Sequence, residues 1–475
     1  MPVDPAYRPE QIHADLGPAF ADPVKAAEFP ATILRYRNDR WARRVGLGAL
    51  DDAEWVAHFG RFEPLPGSFE TPLALRYHGH QFRSYNPDLG DGRGFLFAQL
   101  RDEAGRLLDL GTKGSGKTPY SRGGDGRLTL KGGVREVLAT AMLEALGVET
   151  SKSFSLVETG EALHRNDEPS PTRSAVLVRL SHGHVRIGTF QRLLAEGDTE
   201  SLARLVQHCT RHYLPEARRG SLAEEALAFF DAVAGRTARM TAQWFAAGFV
   251  HGVLNTDNIN ITGESFDYGP YRFLPFYDPG FTAAYFDQTG LYAFGRQADT
   301  IAWNLARLAE CLIPLTPQDG LEAVLDTFGD RFWDALRTAL FRRLGIATGE
   351  MEADTALIRA LFTALRQTRA PFEAVMFDLY GGATRLDKAL AGPRAALYAG
   401  AEFSPFIDLW RDRAAAPDTR LNAAYFGADE PETLLYDEIE ALWAPIAERD
   451  SWIGFAGKLT GIERVRLAYG FAPDP

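Results

Sequence analysis

Two stretches of this 475-residue chain carry residue types at spacings that do phosphate chemistry. The first is GTKGSGKT, Gly111 to Thr118, which satisfies the pattern of a loop that wraps phosphates in backbone N–H groups. The second is HGVLNTDNINITGESFDYGPY, beginning at His251. In it Asn258 stands five positions after Val253, and Asp267-Tyr268-Gly269 follows a short connection. Kinases use that spacing between a catalytic Asp and a metal-binding Asn, and follow it with a D-F-G triplet whose Asp holds magnesium. Asn258 and Asp267 are hard oxygen donors suited to Mg²⁺ or Mn²⁺. Val253, at the base position, takes no proton; the neighbouring Asp257 is the carboxylate that could.

The elements around GTKGSGKT decide what it can be. A phosphate loop of that kind needs a strand before it and a helix starting at its Lys-Thr, so that N–H groups and helix dipole meet the phosphates. LLDLGTK supplies the strand. Pro119 is tolerable in a first turn, but Gly123, Gly124 and Gly126 follow within two turns, each costing about 1 kcal/mol against Ala in a helix. Nor does the pattern suggest a parallel sheet. The string is therefore not expected to be a P-loop.

A second arrangement fits better. Gly90, Gly92 and Gly94 run into a strand at FLFAQL, DEAGR turns, and LLDLGTK returns with Lys113 at its end. Glycines before such a hairpin resemble the loop that covers phosphates in kinases. KGGVREVLATAMLEALGV then has helical spacing and stops at Gly147, placing Glu136 where it can pair with Lys113. Taken singly, the glycines are an ordinary turn and Glu136 a solvated helix residue. SFSLVETG and AVLVRL are strand-like, whereas from about Ser201 the chain is mostly helical. Strands first and helices second predict an α+β protein with two lobes, β-rich and helical, of the kinase type. The expected division is an N-terminal extension over 1–75, a nucleotide-binding lobe over 76–195 and a helical lobe over 196–475.

Composition narrows the class. The chain is 45% hydrophobic, ample for a packed core, and its net charge of −12 argues against a nucleic-acid partner. No apolar run is long enough to span a bilayer, and the N-terminus lacks the pattern of a secretory signal. Cys209 and Cys311 sit in apolar helical surroundings and read as buried thiols, which suits a reducing compartment. The expectation is a cytoplasmic protein without a membrane partner.

Together, YHGHQFRSYNPDLGDGRG, LGTKGSGKTPYSRGGDGR, AVLVRLSHGHVRIGTF, HGVLNTDNINITGESFDYGPY and YAFGRQADTIAWNLARLA resemble the selenoprotein O family of protein adenylyltransferases. The resemblance spans about Tyr77 to Ala309. It implies a kinase-like fold holding ATP reversed end to end, so that AMP passes to a Ser, Thr or Tyr hydroxyl of a protein and pyrophosphate leaves, with UTP as an alternative donor. By matching position, Gly90, Gly92, Arg93, Lys113, Asp125, Gly126, Arg179, Arg186 and Asp267 would meet the nucleotide. Asn258 and Asp267 would hold Mg²⁺ or Mn²⁺, and Asp257 would be the base. Two other readings start from the same residues: a silent nucleotide-binding pseudokinase scaffold, and a small-molecule kinase, which Val253 disfavours. The chain departs from the family in GDGRLTLKGG, in Gln297-Ala298, in TAAYFDQTG and in its C-terminal tail, departures that bear on protein-substrate choice and regulation.

Overall fold

A computed structural model describes residues 4–166 and 168–471. Its strands before the helical part are β1 (Pro9–Glu10), β2 (Ala21–Pro23), β3 (Ile33–Arg37), β4 (Leu73–Leu75), β5 (Gly79–Gln81), β6 (Ser84–Asn86), β7 (Leu96–Arg101), β8 (Leu107–Lys113), β9 (Leu128–Thr129), β10 (Lys152–Leu163) and β11 (Thr172–Ser181). Among the described residues nine of them form one sheet, in the order β2-β4-β7-β8-β11-β10-β3, with β1 on β7 and β9 on β11. Its ladders are antiparallel. Residues before position 76 thus contribute strands to the same sheet as the rest.

Period-two alternation gives the sheet two apolar faces. Leu108, Leu110, Val176 and Val178 turn to Trp41, Trp55 and Phe59 of α1 (Asp39–Arg44) and α2 (Asp52–Phe59). Leu107 and Leu177 turn the other way, to Val134, Val137 and Leu138 of α3 (Leu130–Ala145). Lys113 and Arg179 lie in register with this second set, since Lys113 pairs with Leu177 and Gly111 with Arg179. Thr129 caps α3 by accepting the N–H of Gly132 at 3.1 Å. A Cβ on Gly133 would come within 2.4 Å of Leu156, so glycine lets the helix lie close on the sheet.

The helical part begins with α4 (Ile187–Glu196), α5 (Thr199–His212), the long α6 (Leu222–Ala246) and α7 (Gln297–Leu312). Phe190 of α4 stacks on Phe229 of α6 at 5.2 Å, and the core runs without a break from α3 into these helices. The last two helices, Tyr436–Arg449 and Ile453–Tyr469, return to the sheet. Lys131 of α3 bonds Glu440 at 2.7 Å, and Arg173 of β11 bonds Asp450 at 2.7 Å. Cys209 and Cys311 are buried free thiols, and burial raises the pKa of both. Among the described residues no helix is long and apolar enough to cross a membrane.

Where α5 meets the N-terminal segment, His13 and His208 pack edge to face at 6.3 Å, both buried. Burial, reinforced by the neighbouring imidazole, pulls His208 down to about 2, and burial lowers His13 as well. The unfolded chain takes up protons on these rings below about pH 6.5, whereas the folded chain resists far lower. Stability present above that pH is therefore lost as pH falls, for His208 by about 2 kcal/mol at pH 5. Thermal midpoints at pH 7 and pH 5 check this: His208→Gln should show a clearly smaller drop than the parent protein.

Candidate active site

Lys113 ends β8 on the face turned to α3, and Glu136 stands two turns into that helix. Their side chains form a buried ion pair. Lys113 Nζ also lies 2.8 Å from Asp267 Oδ1, and Arg179 Nη1 reaches the same oxygen at 3.1 Å. Burial alone would favour a neutral Asp267. Lys113 and Arg179 outweigh it and hold this carboxyl well below the usual carboxylate range. Asp267 has φ +63°, a left-handed conformation unusual for a residue with a side chain, and such strain gathers at functional sites.

No helix follows Lys117-Thr118; the next one starts only at Leu130. The segment after β8 instead crosses the Gly90–Gly94 turn. Thr118 Oγ1 donates to the Asp91 carbonyl at 2.5 Å and Ser121 Oγ to that of Gly92 at 2.6 Å. A Cβ on Gly90 would meet the Tyr120 ring at 2.3 Å, and one on Gly126, at φ +71°, the Gly116 carbonyl at 2.2 Å. A Cβ on Gly92 would meet the Tyr120 carbonyl at 2.8 Å, so the glycine turn accepts the segment after β8 at close range, and Gly126 lets that segment fold back on Gly116. Asp125 lies at the rim, where it receives Arg165 at 2.8 Å and the Arg127 N–H at 3.0 Å.

The helical part supplies the opposite wall. His251 Nε2 donates to the Phe266 carbonyl at 2.8 Å, and Gln297 bridges the His251 N–H and the Phe249 carbonyl. These bonds fix the start of the loop against the segment that delivers Asp267. Asp257 and Asn258 follow in a single 3₁₀ turn, Thr256–Asn258. Asn258 Nδ2 donates to the Val253 carbonyl at 3.0 Å, which leaves its oxygen as the donor atom for a cation. Arg186 donates to the Asp257 carbonyl at 3.0 Å and to Asp91 Oδ1 at 3.2 Å, joining the loop to the glycine turn. Asp257 is 8% exposed, and its Oδ1 is buried with no hydrogen-bond partner among the described residues. Burial lifts its pKa to about 6 against the pull of Arg186, so at neutral pH it is a free base with a proton affinity well above that of an ordinary aspartate.

Of the residues singled out from sequence, all but Glu136 line one cleft of about 810 Å³; Glu136 lies beneath it, on Lys113. Sequence reasoning missed Asp91, although an Asp between two glycines was the available signal. It also missed the β5–β6 hairpin as a clamp. His80 N–H donates to Thr256 Oγ1 at 2.7 Å, Thr256 donates to Gln191 at 2.6 Å, and Tyr292 OH donates to Asn255 at 2.7 Å. A Cβ on Gly79 would touch Asp257 Oδ1 at 2.9 Å, so the hairpin closes directly over that carboxylate.

The profile of the family "Protein adenylyltransferase SelO" matches residues 6–462. The chain is 44% identical over 459 residues to "Protein nucleotidyltransferase YdiU" of Synechocystis sp., covering 93% of this chain and 94% of the relative. Similarity to the protein of the same name from Gloeobacter violaceus is also 44%, over 474 residues, 98% of this chain and 96% of that one. The Synechococcus elongatus protein of that name is 42% identical over 470 residues, 95% and 93% of the two chains. Matched along nearly its whole length, the chain belongs to the SelO family.

Proposed function

We propose that the protein transfers AMP from ATP, with UMP from UTP as the alternative, to Ser, Thr or Tyr hydroxyls of target proteins. In this reading 76–195, together with the strands that 1–75 adds to its sheet, is one lobe of a kinase-like fold, and the helical part from 196 onward is the other. The observation that carries it is Asp257, a buried carboxylate with a raised proton affinity and an oxygen unpartnered among the described residues, in a cleft whose kinase base position holds Val253. The family membership agrees with it, as do the names of the relatives.

The acceptor oxygen attacks the α-phosphorus, and its proton passes to Asp257. The bond from that phosphorus to the oxygen bridging to the β-phosphate breaks, and pyrophosphate leaves. Lys113, Arg179 and Arg186 neutralise the triphosphate and the charge that grows on the leaving group, in a cleft where fixed cations need no reorganisation. Arg93 and the glycine turn line the path of the nucleotide, and Asp125 and Gly126 border it.

Asn258 Oδ1 and the second oxygen of Asp267 would be the protein's donors to Mg²⁺ or Mn²⁺. Among the described residues no cluster of three acidic, His or Cys side chains provides a complete metal cage, so phosphate oxygens would complete the shell, as hard cations bound with nucleotides require. The cation would stabilise charge on the phosphates when bound. Incubation with ATP labelled at the α or the γ phosphate tests the reaction: label should enter protein from the α position only, and labelling from γ alone would overturn it.

A further inference from the structure

TAAYFDQTG, Thr282 to Gly290, packs beside the cleft: a Cβ on Gly252 would meet Ala283 at 2.9 Å, one residue before Val253 of the cleft lining. Tyr285 is 81% exposed and Phe286 46%, with their rings 5.1 Å apart. Phe286 meets Phe82, itself 39% exposed, at 5.9 Å. Phe82 and Arg83 are the tip of the β5–β6 hairpin, and both are left-handed, at φ +49° and +64°. Side-chain-bearing residues accept that conformation at a cost that surrounding structure must offset.

The patch is firmly held. Asp287 is buried and accepts the N–H groups of Leu291 and Tyr292, each at 2.8 Å, which folds 287–292 into a closed turn. Phe82 N–H donates to Asn255 Oδ1 at 3.2 Å and to Tyr292 OH at 3.1 Å. Asn255 precedes Asp257 by two residues, so the aromatic patch is hydrogen-bonded to the very loop that bears the buried carboxylate. Arg83 lies over Trp303 at 5.5 Å and pins the hairpin tip from outside. Aromatic rings presented to water by a fixed backbone lose little entropy on binding, and such rings anchor protein interfaces.

We infer that Phe82, Tyr285 and Phe286 receive the acceptor protein, taking an apolar or aromatic side chain that neighbours the modified hydroxyl. The inference rests on the transfer reaction proposed above, because that reaction brings a polypeptide hydroxyl to Asp257 and so lays its flanking residues at the mouth. The occupant is apolar because the three rings are contiguous and exposed. It is part of the acceptor because the patch is continuous with the Asp257 loop.

The test uses the full chain and single-acceptor peptides fused to a carrier protein, with Phe, Leu, Glu or Gly beside a Tyr, Ser or Thr. Transfer from α-labelled ATP should favour the Phe and Leu peptides in kcat/KM by about tenfold or more over Gly, the scale of one buried anchor side chain. The double variant Tyr285→Ser, Phe286→Ser should erase that preference through KM, with nucleotide affinity by calorimetry and gel-filtration volume unchanged. Transfer without apolar preference, or a preference that survives in the variant, overturns this inference alone. A variant that changes only the oligomeric state, with transfer to every peptide intact, assigns the patch to a second copy of the chain and also overturns it. Absence of α-label transfer to any acceptor by the parent protein overturns the proposed reaction and this inference together.

Discussion

Asp267→Ala should abolish binding of the metal–nucleotide complex and transfer together, whereas Asp257→Ala should leave binding intact and slow transfer by about 10²–10⁴-fold. The split follows from what each carboxylate touches. Asp267 gathers Lys113 and Arg179 at 2.8 and 3.1 Å on one oxygen and leaves the other for a cation. Removing it takes away a proposed metal ligand and the carboxylate that Lys113 and Arg179 share, leaving Arg179 to face a lysine still paired with Glu136. Asp267→Asn, which keeps the shape and one oxygen, serves as the folding control and should also lose the metal. Among the described residues Asp257 has no side-chain ion pair that would collapse on its removal; its hydrogen bond from Arg186 runs to the backbone carbonyl. Its loss should therefore appear in kcat, with the affinity measured by calorimetry in the presence of Mn²⁺ or Mg²⁺ unchanged. Equal defects in binding for the two variants would refute the division of roles.

Much of this site was legible because its positions are set by local pattern. The apolar strand LLDLGTK and the helical spacing of KGGVREVLATAMLEALGV lie close in sequence, and alternation on the strand fixes which way Lys113 points. The five-residue interval from Val253 to Asn258 likewise belongs to one tight loop. What could not be read are contacts whose partners lie far apart along the chain. Thr256 is tied to His80 across 176 positions, and Lys131 to Glu440 across 309. Nothing in either local sequence names the other partner. The glycines are an intermediate case. Their clustering signals close backbone approach, but only the structure shows that Gly90 yields to the Tyr120 ring and Gly126 to the Gly116 carbonyl. A pattern made for one phosphate-binding architecture appears here because the segment after β8 must cross the glycine turn and fold back on itself, not because a helix begins.

The two lysines of GTKGSGKT give the sharpest consequence of that distinction. Lys113→Ala should reduce transfer by about 10²–10³-fold, the scale on which one fixed charge stabiliser is lost from an active site, while Lys117→Ala should stay within about twofold of the parent. Lys113 is 6% exposed in its side chain and bonded to both Glu136 and Asp267. Lys117, the residue a P-loop would use, is exposed and precedes no helix. Part of the Lys113→Ala effect would be structural, because Glu136 is 1% exposed and would be left as an unpaired buried charge. The pair Lys113→Met, Glu136→Gln removes that complication, since it withdraws both charges and keeps the volume. If Lys113 acts on the nucleotide, the pair should regain the thermal midpoint lost in Lys113→Ala yet remain as inactive. Recovery of activity along with stability would reduce Lys113 to a packing role, and a greater loss for Lys117→Ala would return the string to the function its letters spell.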